Sequence, residues 1–434
     1  MRARLLIAAI AALVALTIAT RPAAFAHGEG RRADRTQRDA RGTLGTRPTA
    51  LGSAGPVSGW RREIDRLVGD RAMSVTIGND GTFWYRHLAW VKRIPASNEK
   101  LLLSMALLDA VEPTHAIATR AMAVAQPSGG LIEGDLWLVG HGDPEVGPAS
   151  LQPLAAQIAA AGITRITGSV VGDEGPFRRD WWARGWKDYF QADEVPFPTA
   201  LTFNGNVGPR GGHIDDPERR AAAWFTKALR RLGVEVTGNP KMDTPTTSLV
   251  RIASVSSAPI IDIVRRMDVD SLNFDAEVLG KFLGARRSGV GSIASGARAI
   301  DAYTEANGAP ELEHHDGSGL SYANRVTTQG IVRLLWTADL APWGLDLREA
   351  LPTTGQGTLE GRLRHLRVRA KTGTLNAISA LSGWVWNDAI DDWIEFSIVS
   401  FGLYKSTAID VEDAIVRIAS HEATAAGVAE QQAH

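Results

Sequence analysis

At 434 residues, 44% of them hydrophobic, the chain is too long for one typical domain and has apolar content for about two or three buried cores. Its formal net charge is -1 and its basic residues are scattered, which gives no sign of a nucleic-acid groove or of any other polyanionic partner. The absence of cysteine excludes thiol catalysis and cysteine-based metal sites, and fits either compartment, because an exported protein with a large core needs no disulfides.

The first element is a targeting signal. Arg2 and Arg4 precede an apolar run from Leu5 to Ile18, and Ala24-Phe25-Ala26 offers a small-residue cleavage site before His27, the pattern of a secretory signal peptide over residues 1–26. An uncleaved anchor is the competing reading, but the run is shorter than the ~20 residues a span needs. No other stretch is apolar enough to cross a bilayer, so the protein is expected in the periplasm, the cell envelope or outside the cell, with no stable membrane span once the leader is removed. Residues 27–55 hold six arginines, three acids and no aromatic residue, and are expected to be a disordered linker.

Order is expected from about Trp60, where Trp60, Ile64 and Leu67 keep helical spacing. The β-rich runs 72–78 and 82–86 flank Asn79-Asp80-Gly81, a hairpin signal, and an apolar helix follows that opens at Ser97. Between about Val111 and Ser256 the texture changes to short strand-like pieces with Gly and Pro turns, read as a mainly β domain inserted at 116–255. It contains Trp181, Trp182 and Trp186, for which core packing is the default and stacking on a sugar or peptide the alternative. Beyond it, Ala276 to Leu283 has helical texture. Leu366 to Ala370 leads into a strand carrying Lys371, Ile378–Trp386 and Trp393–Phe401 read as two more strands around a turn, and a closing helix runs from Thr407 to about Ala425. Strands from both chain ends are expected to form one antiparallel sheet flanked by helices, an α+β arrangement split between residues 56–115 and 256–434.

Three short motifs carry chemistry. Ser97 and Lys100 put an amine three positions from a hydroxyl, and on a helix these share a face, so the amine can take the hydroxyl proton directly. Ser271-Leu272-Asn273 and Lys371-Thr372-Gly373-Thr374 follow in the order that a Ser-Lys acyl-transfer enzyme requires. With eight lysines in the chain one accidental Ser-x-x-Lys is unremarkable, yet each of the three patterns occurs once. Alone, Ser97 reads equally well as a helix N-cap beside an exposed lysine, and Ser271 and Asn273 as ordinary helix-start residues. Together they form a mechanism.

Ser97 needs a neutral base, and Lys100 serves if burial and a neighbouring cation, Lys371, lower its proton affinity. Lys371, with Thr372 and Thr374, would attract a substrate carboxylate. Ser271 would pass a proton to the leaving amine, and Asn273 would orient Lys100 and hold the substrate amide. The backbone N–H groups of Ser97 and Thr374 would bind the oxyanion, while Gly373 keeps the strand edge open for a substrate added as a further strand. Neither a cofactor nor a metal is required.

With these motifs the chain resembles the D-alanyl-D-alanine carboxypeptidases and endopeptidases of the low-molecular-mass penicillin-binding proteins that carry an inserted domain, on a β-lactamase/transpeptidase-like fold. The segments Leu136-Trp137-Leu138-Val139-Gly140-His141-Gly142-Asp143-Pro144, Phe203-Asn204-Gly205-Asn206, Asp316-Gly317-Ser318-Gly319-Leu320-Ser321 and Gly357-Thr358-Leu359 are similar to that family's pattern. The resemblance implies a penicillin-sensitive serine hydrolase whose partners are peptidoglycan stem peptides and β-lactam antibiotics, with Lys371 on the terminal D-Ala carboxylate. It does not choose between carboxypeptidase and endopeptidase, which differ only in the leaving amine. There are two departures. The stretch between Lys100 and Ser271 is shorter than usual, consistent with a single inserted domain, and Tyr322 stands where relatives often have arginine.

Other features have plainer readings. His314-His315-Asp316 with Ser318 suggests a triad, but adjacent residues point apart and a turn is expected, with Asp316 to Ser321 supporting the site by backbone packing. His141 and Asp143 sit in a Gly-rich bend that lacks the spacing of a dinucleotide site. An esterase or β-lactamase-like hydrolase on the same fold is an alternative, as is an inactive cell-wall binding protein, against which the intact Ser97, Lys100 and Lys371 argue.

Overall fold

A computed structural model describes residues 59–424. The leader expected over 1–26, the linker expected over 27–55 and the end of the closing helix at Ala425 lie outside the described residues. Helix α1 (Gly59–Val68) buries Trp60, Ile64 and Val68, successive residues of one helical stripe. Strands β1 (Met73–Asn79) and β2 (Thr82–His87) then form the expected hairpin. Its central residues Asp80 and Gly81 have φ of 52° and 78°, as a tight hairpin turn demands. A 3-10 turn over Ala96–Asn98 leads into α2 (Glu99–Ala110). Ser97 therefore sits in the tighter turn before the helix rather than on its first turn. From Glu99 to Leu108 every residue of α2 is buried, which makes it the central helix of its layer.

Between α2 and Ile260 lie β3 (Ala116–Ala123), β4 (Leu131–Ile132), β5 (Leu136–Val139), α3 (Pro148–Ala160), β6 (Arg165–Ile166), β7 (Val170–Asp173), α4 (Phe190–Asp193), α5 (Pro217–Arg231), β8 (Glu235–Val236), β9 (Lys241–Asp243) and β10 (Val250–Pro259). These strands make a sheet of order β10-β3-β5-β7-β9 and a small one of order β4-β6-β8. The segment holds more helix than its strand-like texture suggests, for a topological reason. The β5/β7 and β7/β9 pairs are parallel, so each needs a crossover, and α3 and α5 supply them. Leu151, Leu154, Phe225 and Leu229 from these helices share a core with Leu136, Leu138 and Val170.

The chain returns through α6 (Ile260–Asp270), α7 (Asn273–Ser288), α8 (Ile293–Ala306), α9 (Thr328–Leu340) and α10 (Gly344–Ala350), then β11 (Val368–Leu375), β12 (Ile378–Asn387), β13 (Asp392–Phe401) and α11 (Lys405–His421). Both chain ends meet in one antiparallel sheet of order β11-β12-β13-β1-β2. Met73, Val75, Ile77, Phe396 and Ile398 share one core with residues of α1 and α11, whereas Trp384 joins the core of α2 and its helical neighbours. Ile378 to Val385 is accordingly buried without interruption, as a strand covered on both faces must be. Strand β11 lies at the sheet edge and the Ser97 turn presses against it: a Cβ on Gly373 would stand 2.6 Å from the Pro95 carbonyl oxygen. Among the described residues no helix is long and apolar enough to cross a membrane.

A buried lysine fastens the tryptophan-rich segment to this frame. Lys281 on α7 donates to the carbonyls of Arg178 and Asp180, both at 2.9 Å, meets Asp180 Oδ1 at 2.8 Å and lies over the Trp181 ring. Lys281→Met should leave two carbonyls and a carboxylate short of a donor. We expect it to cost about 2–4 kcal/mol of stability, read as a lower urea midpoint with an unchanged slope.

Candidate active site

Ser97, Lys100 and Ser104 lie three and four residues apart, so they share one face where α2 begins. The Lys100 amine is 3.2 Å from Ser97 Oγ, 2.8 Å from Asn273 Oδ1 and 2.6 Å from the Ser318 carbonyl oxygen. The last two partners are carbonyl oxygens, which only accept. A neutral amine satisfies them with its two N–H bonds and keeps its lone pair for the Ser97 hydroxyl proton. Lys100 is fully buried, and that burial pushes its ammonium down to about 8, against the pull of Asp316, Asp268, Glu277 and Glu99.

The second lysine comes from the sheet edge. Lys371 on β11 is also fully buried and donates to Ser271 Oγ at 3.0 Å and to the Thr372 carbonyl at 3.1 Å. Burial lowers its proton affinity, and the charge of Lys100 lowers it further. Ser271 ends α6 in a left-handed conformation, φ 56°, and α7 begins two residues later at Asn273. This sharp turn sends the two polar residues of the motif to different lysines: Ser271 to Lys371, Asn273 to Lys100. No hydrogen bond among the described residues joins Ser271 to Ser97.

The direction of the β11 peptide groups follows from one contact. The Ala370 N–H leaves the sheet and bonds the Pro352 carbonyl at 3.1 Å. In an antiparallel pair alternate residues point away from the partner strand, so the N–H and C=O groups of Thr372 and Thr374 also face the open edge. Thr374 N–H is thereby turned toward the cleft beside the 3-10 turn of Ser97, whose own N–H lies at a helix start and lacks an intrahelical partner. Asn98 ties that turn to the sheet by donating to Ser382 Oγ at 2.7 Å.

The supporting shell is where sequence reasoning stopped short. Asp316 is fully buried and accepts from Trp186 Nε1 at 2.7 Å, Asn324 Nδ2 at 2.8 Å, Ser321 N at 2.8 Å, Gly319 N at 3.0 Å and Ser318 Oγ at 3.3 Å. Glu277 on α7 accepts from the N–H groups of Gly317 at 3.1 Å and Ser318 at 2.8 Å. These bonds fix the Ser318 carbonyl on which Lys100 rests. Gly319 has φ 83°, and a Cβ there would stand 1.9 Å from the Ala96 carbonyl oxygen, so only glycine lets the loop touch the Ser97 turn. The expected backbone packing is present, and its hub is a carboxylate.

His314 does not join a triad. Its Nδ1 meets Glu99 Oε1 at 2.5 Å with both side chains fully buried. Burial opposes the imidazolium, but the Glu99 carboxylate outweighs it and His314 is held above its ordinary range. Trp186 packs with Phe190 and Leu320 beside the site rather than in the core of the β5/β7 sheet, and Trp182 is half exposed. Tyr322 stands near the end of β11, with the Phe190 ring stacked at 6.4 Å and the Lys187 amine 4.6 Å above it. His141 and Asp143 serve their bend, His141 Nδ1 lying 3.0 Å from the Ala118 carbonyl and Asp143 accepting from Glu145 N at 2.9 Å. Asp268, absent from all three motifs, lies buried one turn before Ser271 and accepts from Ser104 Oγ at 2.8 Å.

Comparison with known proteins supplies the family and the fold. The sequence profile of the D-Ala-D-Ala carboxypeptidase 3 (S13) family matches residues 63–210 and 204–422. The chain belongs to that family. It is thus a serine peptidase by descent. A D-alanyl-D-alanine carboxypeptidase of Actinomadura sp. (strain R39) is 26% identical, over 87% of this chain and 88% of the relative. The carboxypeptidase DacB of Mycolicibacterium smegmatis is 28% identical, over 79% of each. In fold, the S13 chain is similar to penicillin binding protein 4 of Haemophilus influenzae, with a TM-score of 0.72 at 18% identity, covering 83% of this chain and 99% of that one. That protein has also been solved with a bound β-lactam.

The Asp316 hub makes a stability prediction. Asp316→Asn turns one acceptor oxygen into an NH2 group facing donors. It should lower stability by about 2–3 kcal/mol, measured by urea unfolding.

Proposed function

We propose that this S13 chain is an exported, penicillin-sensitive serine DD-peptidase acting on peptidoglycan stem peptides through an acyl-enzyme on Ser97. The observation that carries the reading is the Lys100 amine, held by two carbonyl oxygens and left with one free valence toward Ser97 Oγ. The names of the curated relatives support a D-Ala-D-Ala substrate. The leader-like residues 1–26 support export, and the self-contained core between β3 and β10 supports an inserted domain at 116–255.

The substrate lies along β11 as an added strand, bonded to the outward N–H and C=O groups of Thr372 and Thr374 across the edge that Gly373 leaves clear. Its terminal carboxylate pairs with Lys371 and the threonine hydroxyls. That pairing restores to Lys371 the charge that burial disfavours. Lys100 takes the Ser97 proton as Oγ attacks the penultimate D-Ala carbonyl, and the N–H groups of Ser97 and Thr374 bind the oxyanion. The C–N bond breaks as the proton that Lys100 took from Ser97 passes by way of Ser271 to the leaving amine, which leaves Lys100 neutral again. Asn273 holds Lys100 in place and presents its amide NH2 to the substrate. Water, deprotonated by Lys100, then attacks the ester carbonyl, the bond to Ser97 Oγ breaks to release the acid, and Lys100 hands the proton back to Oγ. A free D-Ala leaving group makes the enzyme a carboxypeptidase, and a cross-linked one an endopeptidase.

Intact protein incubated with benzylpenicillin should gain one covalent adduct that peptide mass analysis places on Ser97. Ser97→Ala should gain none, and a folded wild-type protein that stays unmodified would overturn the proposal. Digestion of pentapeptide and of cross-linked muropeptides, with both products weighed, assigns the leaving group.

Lys100 must be neutral to accept a proton, so the acylation rate should rise with pH through about 8, not near the ordinary lysine value. Lys100→Ala should cut the rate by about 10³-fold or more and remove that limb from the profile, as followed by stopped-flow acylation.

A further inference from the structure

A third lysine reaches the substrate strand from the helix that follows the sheet. Lys405, the first residue of α11, donates to Ser379 Oγ at 2.7 Å and to the Gly373 carbonyl at 3.3 Å. Ser379 in turn donates to Glu412 Oε1 at 2.5 Å, and Glu412 Oε2 accepts from Arg362 at 2.9 Å. The first turn of a helix is the positive end of its dipole, where acids are favoured and cations are not. α11 has no acid in that turn and has this lysine instead. A residue that breaks a local rule marks a place where something besides the local fold is being served.

The two contacts of Lys405 show what that is. The Gly373 carbonyl and the Thr374 N–H belong to one peptide group and point opposite ways. The N–H faces the open edge, and the carbonyl faces β12, where Gly373 stands opposite Ala380. A carbonyl oxygen has two lone pairs, so it takes the Lys405 N–H beside its ladder bond. Donation to that oxygen draws electron density onto it and leaves the N–H at the other end of the same peptide more positive, as along any hydrogen-bonded chain. A charged amine does this more strongly than a neutral one. Burial lowers the proton affinity of Lys405 and Glu412 opposes the change, and either form of the amine has an N–H to give. Ser379 is the cross-strand partner of Thr374, so the same amine also fixes the residue directly opposite.

Resting on the peptidase reading of the site, we infer that Lys405 is a positioning residue of the oxyanion site, which holds and polarises the Gly373–Thr374 peptide through its carbonyl and so strengthens the Thr374 N–H as a donor. It touches neither substrate nor Ser97. Charge on the substrate oxygen is greatest in the transition state, so the stronger donor acts on rate more than on binding.

The test is the carbonyl stretch of the acyl-enzyme, because the ester oxygen occupies the place of the oxyanion and its band moves to higher wavenumber as the donors on it weaken. Full-length wild type, Lys405→Met and Lys405→Gln are acylated with benzylpenicillin carrying an isotopic label in the lactam carbonyl and compared by difference infrared spectroscopy, with acylation followed by stopped flow. Lys405→Met should shift the band upward and slow acylation at saturating penicillin by about tenfold, less than the loss of a whole oxyanion donor, with little change in the concentration needed for half-saturation. Lys405→Gln, neutral but still a donor, should shift it the same way by less. A band that stays in place in Lys405→Met, whatever the loss of rate or stability, overturns the inference. If Lys405→Met does not fold, an unmoved band in Lys405→Gln overturns it alone. A wild type that forms no adduct overturns instead the peptidase reading on which the inference rests.

Discussion

The structure turns on one nitrogen with three neighbours. Lys100 offers two N–H bonds to oxygens that can only accept, so the remaining valence points at Ser97 by elimination. Much of the surrounding architecture serves those two acceptors. The Asn273 amide is set by the abrupt left-handed turn at Ser271, and the Ser318 carbonyl by backbone N–H groups gathered onto Asp316 and Glu277. Burial does the rest, because an amine with no access to water holds its proton loosely.

The sheet contributes a direction rather than a residue. Because β11 is an edge strand whose alternate peptide groups face outward, a substrate lying there finds a ready row of donors and acceptors. The same alternation sends the Lys371 side chain toward α6 while its neighbours Thr372 and Thr374 present their backbone to the cleft. Asn98, bonded to Ser382, links the Ser97 turn to the second strand of the sheet, so the register of β11 on β12 also sets the distance between serine and edge.

The parts legible in the sequence were those with a local signature. The β1/β2 hairpin was announced by Asn79-Asp80-Gly81, α1 by the spacing of Trp60 and Ile64, and the convergence of Ser97, Lys100, Asn273 and Lys371 by three motifs in order. What stayed hidden depends on pairing across long separations. The helices α3 and α5 are required by parallel strands whose pairing no local pattern reveals. Asp316 was visible in its glycine-rich loop but not as a hub, because its five donors come from Trp186, Asn324, the Ser318 hydroxyl and the backbone N–H groups of Gly319 and Ser321. Asp268 is an ordinary aspartate near a helix end until the fold sets it against Ser104.

Complete burial of Lys100 and Lys371 also has a meaning for the life of the chain. In the unfolded polypeptide both amines meet water and hold their protons firmly, and the alcohol three residues upstream is no more reactive than any other serine. The pairing of Lys100 with Ser97 takes shape only when stretches 173 and 218 residues away close around the amine. A chain that has not yet folded is thus chemically silent at this alcohol, and tertiary structure itself is the safety catch.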